Sequence, residues 1–324
     1  MSSTIAIVGS ILMESWFKTE KVVKPGERRI DAELTEYPGG KGATQAVAAS
    51  RLGATVSLVG SIADDERGAV IKSCLAAEAV QLDGVTIHEQ EGGGLATGVG
   101  FVQMPESGRY ATLVAPGVSS RVTTDDVDRL ASTIADADVL IVHCELDEAV
   151  STRAIEVAAR SSTTVVLDAA PPERATSELL GLVQVLVVTE DQGRRLLGKA
   201  ADDCTEQGLA RRLASRGSES VVVLLAPKAD TPRAALLFDG EDVVRFEGSG
   251  KHKLADELGA KDAFVAGLGV RLADGGRLRD AVQWGLSAAE LAASNAGGIP
   301  ALPTRESVEA QFTRTVNVEP AEGV

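Results

Sequence analysis

The chain has 324 residues, 44% of them hydrophobic and only 3% aromatic, with a formal net charge of -15. That length supports one large core, or a core domain with a small appendage, packed on Ala, Val, Leu and Ile. The uniform acidic balance disfavours nucleic acid and anionic membranes as partners, while leaving room for a locally basic nucleotide pocket.

The N-terminal stretch MSSTIAIVGSILMESW has no basic leader, so Ile5–Val8 reads as a first buried strand rather than a signal peptide. Residues 12–37 are mixed and polar, with a turn at Pro25-Gly26, and suit strands of a small separate sheet. Pro38 to Gly42 is a glycine-rich turn leading into a helix over Ala43–Leu52, closed by Gly53. Val56–Val59 is the next strand. Thr97–Val102 and Tyr110–Val114 form a hairpin around Pro105–Gly108. From there strands and helices alternate. Strands are expected at Val139–Val142, Val165–Leu167, Val185–Val188 and Val221–Leu225, with helices at Glu148–Ala159, Asp191–Leu197 and Cys204–Arg216. A second hairpin turns at Asp239-Gly240, and helices over Ala263–Leu272 and Leu278–Ala296 close the pattern. Repeated βα units predict an α/β fold: a mostly parallel central sheet with helices on both faces and a small β lid over its carboxyl end. The expected extent is one domain over 1–314, with lid strands from about 12–37 and 92–115 and a tail over 315–324. No apolar run approaches about 18 residues, so no membrane span is expected, and the scattered Cys74, Cys144 and Cys204 read as reduced cytoplasmic thiols. His88, His143 and His252 are equally scattered, which argues against a histidine metal site or a Ser-His-Asp triad.

Two motifs carry chemistry. Gly39-Gly40-Lys41-Gly42-Ala43-Thr44-Gln45 lets backbone pass close to a ligand at a helix start, where free amides bind hydroxyls or anions. Alone it is equally a plain strand-to-helix turn. Ala255-Asp256-Glu257-Leu258-Gly259-Ala260-Lys261-Asp262-Ala263-Phe264 delivers a second helix N-terminus, whose amides and dipole suit negative charge on a transferring phosphoryl group. Asp262 alone fits structural capping as well.

Together, in this order, GGKGATQAVAASRLG and ADELGAKDAF resemble the N- and C-terminal signatures of the ribokinase-like (PfkB) carbohydrate kinases, the second of which normally reads D-T-x-G-A-G-D-x-F. Val8-Gly9-Ser10-Ile11, Ala96-Thr97-Gly98-Val99, Ala115-Pro116-Gly117 and Pro303-Thr304-Arg305-Glu306 are similar to further family segments. The resemblance implies a three-layer α/β/α fold and transfer of the γ-phosphate of ATP to a sugar hydroxyl. It implies Asp262 as base, with Gly259, Ala260 and Lys261 as anion hole. Glu14, Gly40, Lys41, Gly42, Thr44 and Glu145 would hold the sugar, and Glu190 and Lys228 would meet the nucleotide. Mg²⁺ would accompany the phosphates, Asp256 matches a ligand for a monovalent cation such as K⁺, and a homodimer would form through the lids.

The departures from that pattern fall at functional positions. Leu12 and Glu14 stand where an Asn and an Asp grip ribose, and Thr44 replaces an Asn. Counting back from Leu196-Leu197, the Asn-x-x-Glu motif becomes Glu190 and Gly193. The Gly-Ser-Arg-Gly loop becomes Ala226-Pro227-Lys228-Ala229. Lys261 replaces the second glycine of the C-terminal signature, where a left-handed backbone would cost about 1–2 kcal/mol; its ammonium would reach a phosphate or lie across to Asp262. Ala301 replaces a cation-site Ser, which speaks against potassium. These losses favour a substrate other than plain ribose, and leave as the alternative an impaired relative that binds a sugar or nucleotide as a sensor. The glycines from Gly92 to Gly100 neither follow a first strand nor open a helix, so a dinucleotide site is not supported. His143 and Cys144, beside Glu145, are candidates to line the sugar pocket, or ordinary core.

Overall fold

A computed structural model describes residues 3–90, 94–105, 110–226, 231–251, 254–255 and 257–316, with side chains described to 312. In chain order, β1 (Thr4–Val8) leads to two lid strands, β2 (Leu12–Thr19) and β3 (Glu33–Gly39), then α1 (Lys41–Arg51), β4 (Thr55–Ala63), α2 (Glu66–Ala77) and β5 (Gln81–His88). Two more lid strands follow, β6 (Thr97–Pro105) and β7 (Ala111–Gly117), then short α3 (Thr124–Arg129) and α4 (Ala131–Ala135). The alternating half comprises β8 (Val139–His143), α5 (Glu148–Ala158), β9 (Thr164–Asp168), α6 (Ser177–Leu180), β10 (Val185–Thr189), α7 (Glu190–Leu197), α8 (Glu206–Ala214) and β11 (Ser220–Leu224). A hairpin of β12 (Ala234–Phe238) and β13 (Val243–Glu247) precedes α9 (Ala260–Ala273), α10 (Leu278–Ala293) and α11 (Arg305–Val316).

Nine strands form the main sheet in the order β13-β12-β11-β10-β9-β8-β1-β4-β5, and four form the lid in the order β3-β2-β6-β7. The main sheet is parallel from β5 to β11, and β12 and β13 run antiparallel at one edge. β1 pairs with β4 on one side and β8 on the other, so the winding reverses there. That reversal opens a crevice at the carboxyl ends of β1 and β8, where open α/β sheets place their ligands.

Alternation along the strands sorts the core into two layers. Ile5, Ile7, Val139 and Ile141 pack on the α1, α9 and α10 side, whereas Ala6, Val8, Leu140 and Val142 pack on the α5 and α8 side. With both faces covered, strands read as continuous apolar runs, which is why β1, β8 and β10 were legible.

The elements not anticipated are α2, β5, α3, α4, α6 and α11. Their faces are thinly apolar: α2 buries only Gly68, Ile71 and Leu75. α1 and α9 begin earlier than their apolar pattern suggests, at Lys41 and Ala260, because glycines with positive φ (Gly40, 85°; Gly259, 78°) deliver the chain straight into the first turn. The turn expected around Pro105–Gly108 falls largely on residues outside those described.

Candidate functional site

A cavity of about 500 Å³ lies between the lid and the carboxyl ends of the main sheet. Leu12, Glu14, Gly100, Val102, Thr112 and Val114 line it from the lid, Gly40, Lys41 and Glu145 from the crevice, and Thr189 to Gln192 and Gly259 to Asp262 from two helix starts.

At its base four charged side chains interlock. Asp168 ends β9 and is fully buried; its Oδ2 accepts from Lys41 Nζ at 3.2 Å and its Oδ1 from Lys261 Nζ at 2.5 Å. Lys41 Nζ also lies 3.6 Å from Asp262 Oδ1. Gln45, one helical turn after Lys41 and so on the same face of α1, donates from Nε2 to Asp168 Oδ2 (3.2 Å) and to Asp262 Oδ1 (2.9 Å). Burial penalises every charge here, and the ion pairs decide which survive. Burial alone would raise the Asp168 carboxyl, but Lys261 and Lys41 outweigh it and hold it well below the usual carboxylate range. Burial likewise opposes the Lys41 charge, yet Asp168, Asp262 and Glu145 keep its pKa well above the ordinary lysine value. Burial lowers Lys261, with Asp168 only partly offsetting it. Asp262 is raised, first by burial, with Lys41 opposing and the nearby Asp168 adding to the rise.

Lys261 departs from expectation twice. It lies inside α9 and is not among the positive-φ residues, of which Ala79 is the one non-glycine among the described residues, so it carries no left-handed strain. Its ammonium turns to Asp168 and Gln192 rather than to Asp262; the cation facing Asp262 is Lys41. The Ala260 amide bonds the Glu257 carbonyl at 3.3 Å. Lys261 and Asp262 follow in the first turn of α9, where amides have no helical carbonyl ahead of them.

On the lid side, Glu14 lies over Gly39 and accepts from Trp16 Nε1 (3.1 Å) and the Gly40 amide (3.4 Å), with burial raising its carboxyl pKa. Ser10 donates to Glu145 Oε2 at 2.5 Å and accepts from the Lys41 amide at 3.1 Å, joining β1, α1 and the end of β8. His143 stands behind them, its Nε2 2.9 Å from the Ser10 amide and its Nδ1 3.1 Å from the Glu145 amide. Burial lowers its pKa and keeps it neutral. A neutral ring accepts through one nitrogen only, so one of these two approaches is contact without a bond. His143 and Cys144 are buried core rather than cavity wall, and burial pushes the Cys144 thiol up to about 12. Gly42 and Thr44 are also buried off the cavity. A Cβ on Gly42 would sit 2.6 Å from the Gly9 carbonyl carbon, so that glycine serves close backbone packing.

On the far side, Thr189 and Gln192 form a reciprocal cap at the start of α7, with Thr189 Oγ1 accepting from the Gln192 amide and Gln192 Oε1 from the Thr189 amide. Both line the cavity. Gly193 instead turns inward, 3.0 Å from Leu213 if given a Cβ. The three-residue spacing assigned from sequence to Glu190 and Gly193 is therefore met one residue earlier, by Thr189 and Gln192. Glu190 lines the cavity but gives its carboxylate to Arg194 at 2.9 Å. Lys228 and Asp256 lie outside the described residues. Sequence reasoning missed Ser10, Gln45, Asp168 and Gln192. Only Gln45, at i+4 from Lys41, and Thr189-x-x-Gln192, a capping pattern, left a local signal.

Among the described residues no cluster of three or more His, Cys, Asp or Glu could hold a metal, and no helix is long and apolar enough to cross a membrane. The family model for pfkB family carbohydrate kinases matches residues 2–305. A ribokinase of Haemophilus influenzae is 27% identical over 315 residues, covering 94% of this chain and 97% of that protein. One of Bacillus subtilis is 25% identical, covering 94% and 98%. Among solved structures, a Thermotoga maritima ribokinase superposes with a TM-score of 0.82 at 25% identity, covering 96% of this chain and 99% of that one. An Arabidopsis thaliana ribokinase complexed with ribose and ATP superposes with a TM-score of 0.81 at 23% identity, covering 96% and 99%, a likeness of fold.

Proposed function

The chain belongs to the pfkB family of carbohydrate kinases, and on that premise we propose that it transfers the γ-phosphate of ATP to a sugar hydroxyl with Asp262 as general base. The observation that carries this reading is Asp262 itself: a carboxylate in the first turn of α9, 14% exposed toward the cavity and oriented by Gln45 and Lys41. The hydroxyl proton passes to Asp262 as the hydroxyl oxygen bonds the γ-phosphorus; the bond from that phosphorus to the β,γ-bridging oxygen breaks and ADP leaves. Positioning and charge stabilisation do most of the work in such transfers. The first-turn amides of Lys261 and Asp262 and the α9 dipole meet the charge that develops.

Glu14, Gly40, Lys41 and Glu145 hold the sugar from the lid and crevice. Leu12, 3% exposed, offers no hydrogen bond there, which favours an acceptor other than plain ribose. Thr189, Glu190 and Gln192 flank the phosphate path. Mg²⁺ prefers waters, phosphate oxygens and one or two carboxylates to an all-protein cage; Asp191, 79% exposed and on the cavity wall, fits an ion that arrives with the triphosphate. When bound, that ion neutralises phosphate charge. Ala301 is buried and brings no side-chain oxygen to a potassium site.

Purified chain given ATP, Mg²⁺ and a panel of pentoses, hexoses and nucleosides is expected to release ADP with at least one acceptor. Ligand binding without turnover across the panel would instead favour the sensor reading, and no ATP affinity at millimolar concentration would end the kinase proposal.

The outer lid face supports a homodimer. Tyr110, Thr112 and Val114 face the cavity, so by alternation Leu113, 72% exposed, faces away, beside Phe101 in register and near Phe17, whose ring lies 4.8 Å from that of Phe101. Light scattering is expected to give a dimer for the native chain and a monomer for Leu113→Asp. A native monomer at working concentration would refute the assembly.

A further inference from the structure

Lys261 draws partners from two other elements. Its Nζ lies 2.5 Å from Asp168 Oδ1, at the end of β9, and 2.5 Å from Gln192 Oε1, in the first turn of α7. Neither partner is free to wander. Asp168 is fully buried and also accepts from Lys41 and Gln45, and Gln192 is bound into the α7 cap. An ammonium has three N–H donors; two are spent on these anchors, and among the described residues nothing takes the third. The side chain stays 14% exposed on the cavity wall.

This is a poor place for a resident cation. It sits between the N-termini of α7 and α9, whose dipoles both disfavour positive charge, in a mostly buried setting. The same two helix starts favour an anion. A positive charge pinned between them, with one donor unspent among the described residues, suits a polyanion more than it suits the fold alone.

Resting on the kinase reading, we propose that Lys261 binds the phosphate chain of ATP at the reaction centre, with Asp168 and Gln192 acting as positioning residues that hold its ammonium on the cavity wall. The alternative, that Lys261 plugs the site, makes the opposite prediction for affinity.

The test needs no knowledge of the sugar. Calorimetry on the full chain would compare ATP, inorganic tripolyphosphate and adenosine. Lys261→Met is expected to weaken ATP and tripolyphosphate by at least about tenfold and adenosine by less than about twofold, because a charge-assisted contact is lost and the base pocket is untouched. Lys261→Arg is expected to keep most of the affinity. If Lys261→Met fails to fold, the double variant Lys261→Met with Asp168→Asn, which removes both buried charges, carries the same expectation. Equal losses for ATP and adenosine would mark a structural role and overturn the inference, as would tighter ATP binding by either variant. Native chain that binds ATP, with variants that bind it equally well, sinks this inference alone. Native chain that binds neither ATP nor adenosine brings down the kinase reading and this with it.

Discussion

Asp262→Asn is expected to lower phosphoryl transfer by at least about a hundredfold while leaving ATP affinity nearly unchanged. The substitution keeps the size of the side chain and its place beside Gln45, but replaces the basic carboxylate with a neutral amide that cannot take the hydroxyl proton. Because burial raises the Asp262 carboxyl above the ordinary aspartate value, the base is lost before a free aspartate would be. Activity should therefore fall as pH is lowered through a limb above about pH 4, and that limb should be missing from the residual activity of Asp262→Asn. Lys41 limits the rise, so Lys41→Met should move the limb to still higher pH. An Asp262→Asn enzyme within about tenfold of the native rate would remove Asp262 from the role of base.

Asp168→Ala is expected to destabilise the fold by about 3–5 kcal/mol, the cost of leaving buried charges without their partner. Two lysines converge on this one carboxylate, so its loss leaves Lys261 without an ion-pair partner and Lys41 with Asp262 alone, and Gln45 loses an acceptor as well. Adding Lys261→Met should restore part of the loss, which an independent pair of sites would not do. The pH dependence has a definite sign. Asp168 is depressed in the folded chain, so its contribution is fully present above its unfolded value of about 3.9 and fades as pH falls through and below that value. Urea midpoints of native chain and Asp168→Ala should therefore differ most near neutrality and converge in acid. A midpoint unchanged at pH 7 would mean that the cluster does not stabilise the fold.

Both predictions turn on residues that were unequally visible. Asp262 stood out because a Gly-Ala turn before a helix is a local pattern, and Gly40 and Gly259 do adopt the positive φ such turns require. The glycine turns, the buried parallel strands and the lid strands were legible for the same reason: each depends on residues a few positions apart. Elements with thin apolar faces, such as α2 and α11, gave too weak a period to read. Glu190 and Gly193, read from sequence as a nucleotide motif, fall inside the first half of α7, with Gly193 packed inward. The reciprocal cap of Thr189 and Gln192 is what sets the start of that helix.

The chain's own order of residues settled the α/β architecture and the family signatures, since glycine turns and apolar runs act through steric limits and burial within one element. It could not settle what each charge does. Lys261 reads from sequence as a strained intruder, a phosphate contact or a partner of Asp262. In the fold it is an unstrained helical residue bound to Asp168, 93 positions away, while Lys41 takes the place facing Asp262. Which carboxylate a lysine meets depends on which strand and helix ends converge, and burial then magnifies the consequence for every charge in the cluster. That pairing is decided by tertiary structure alone.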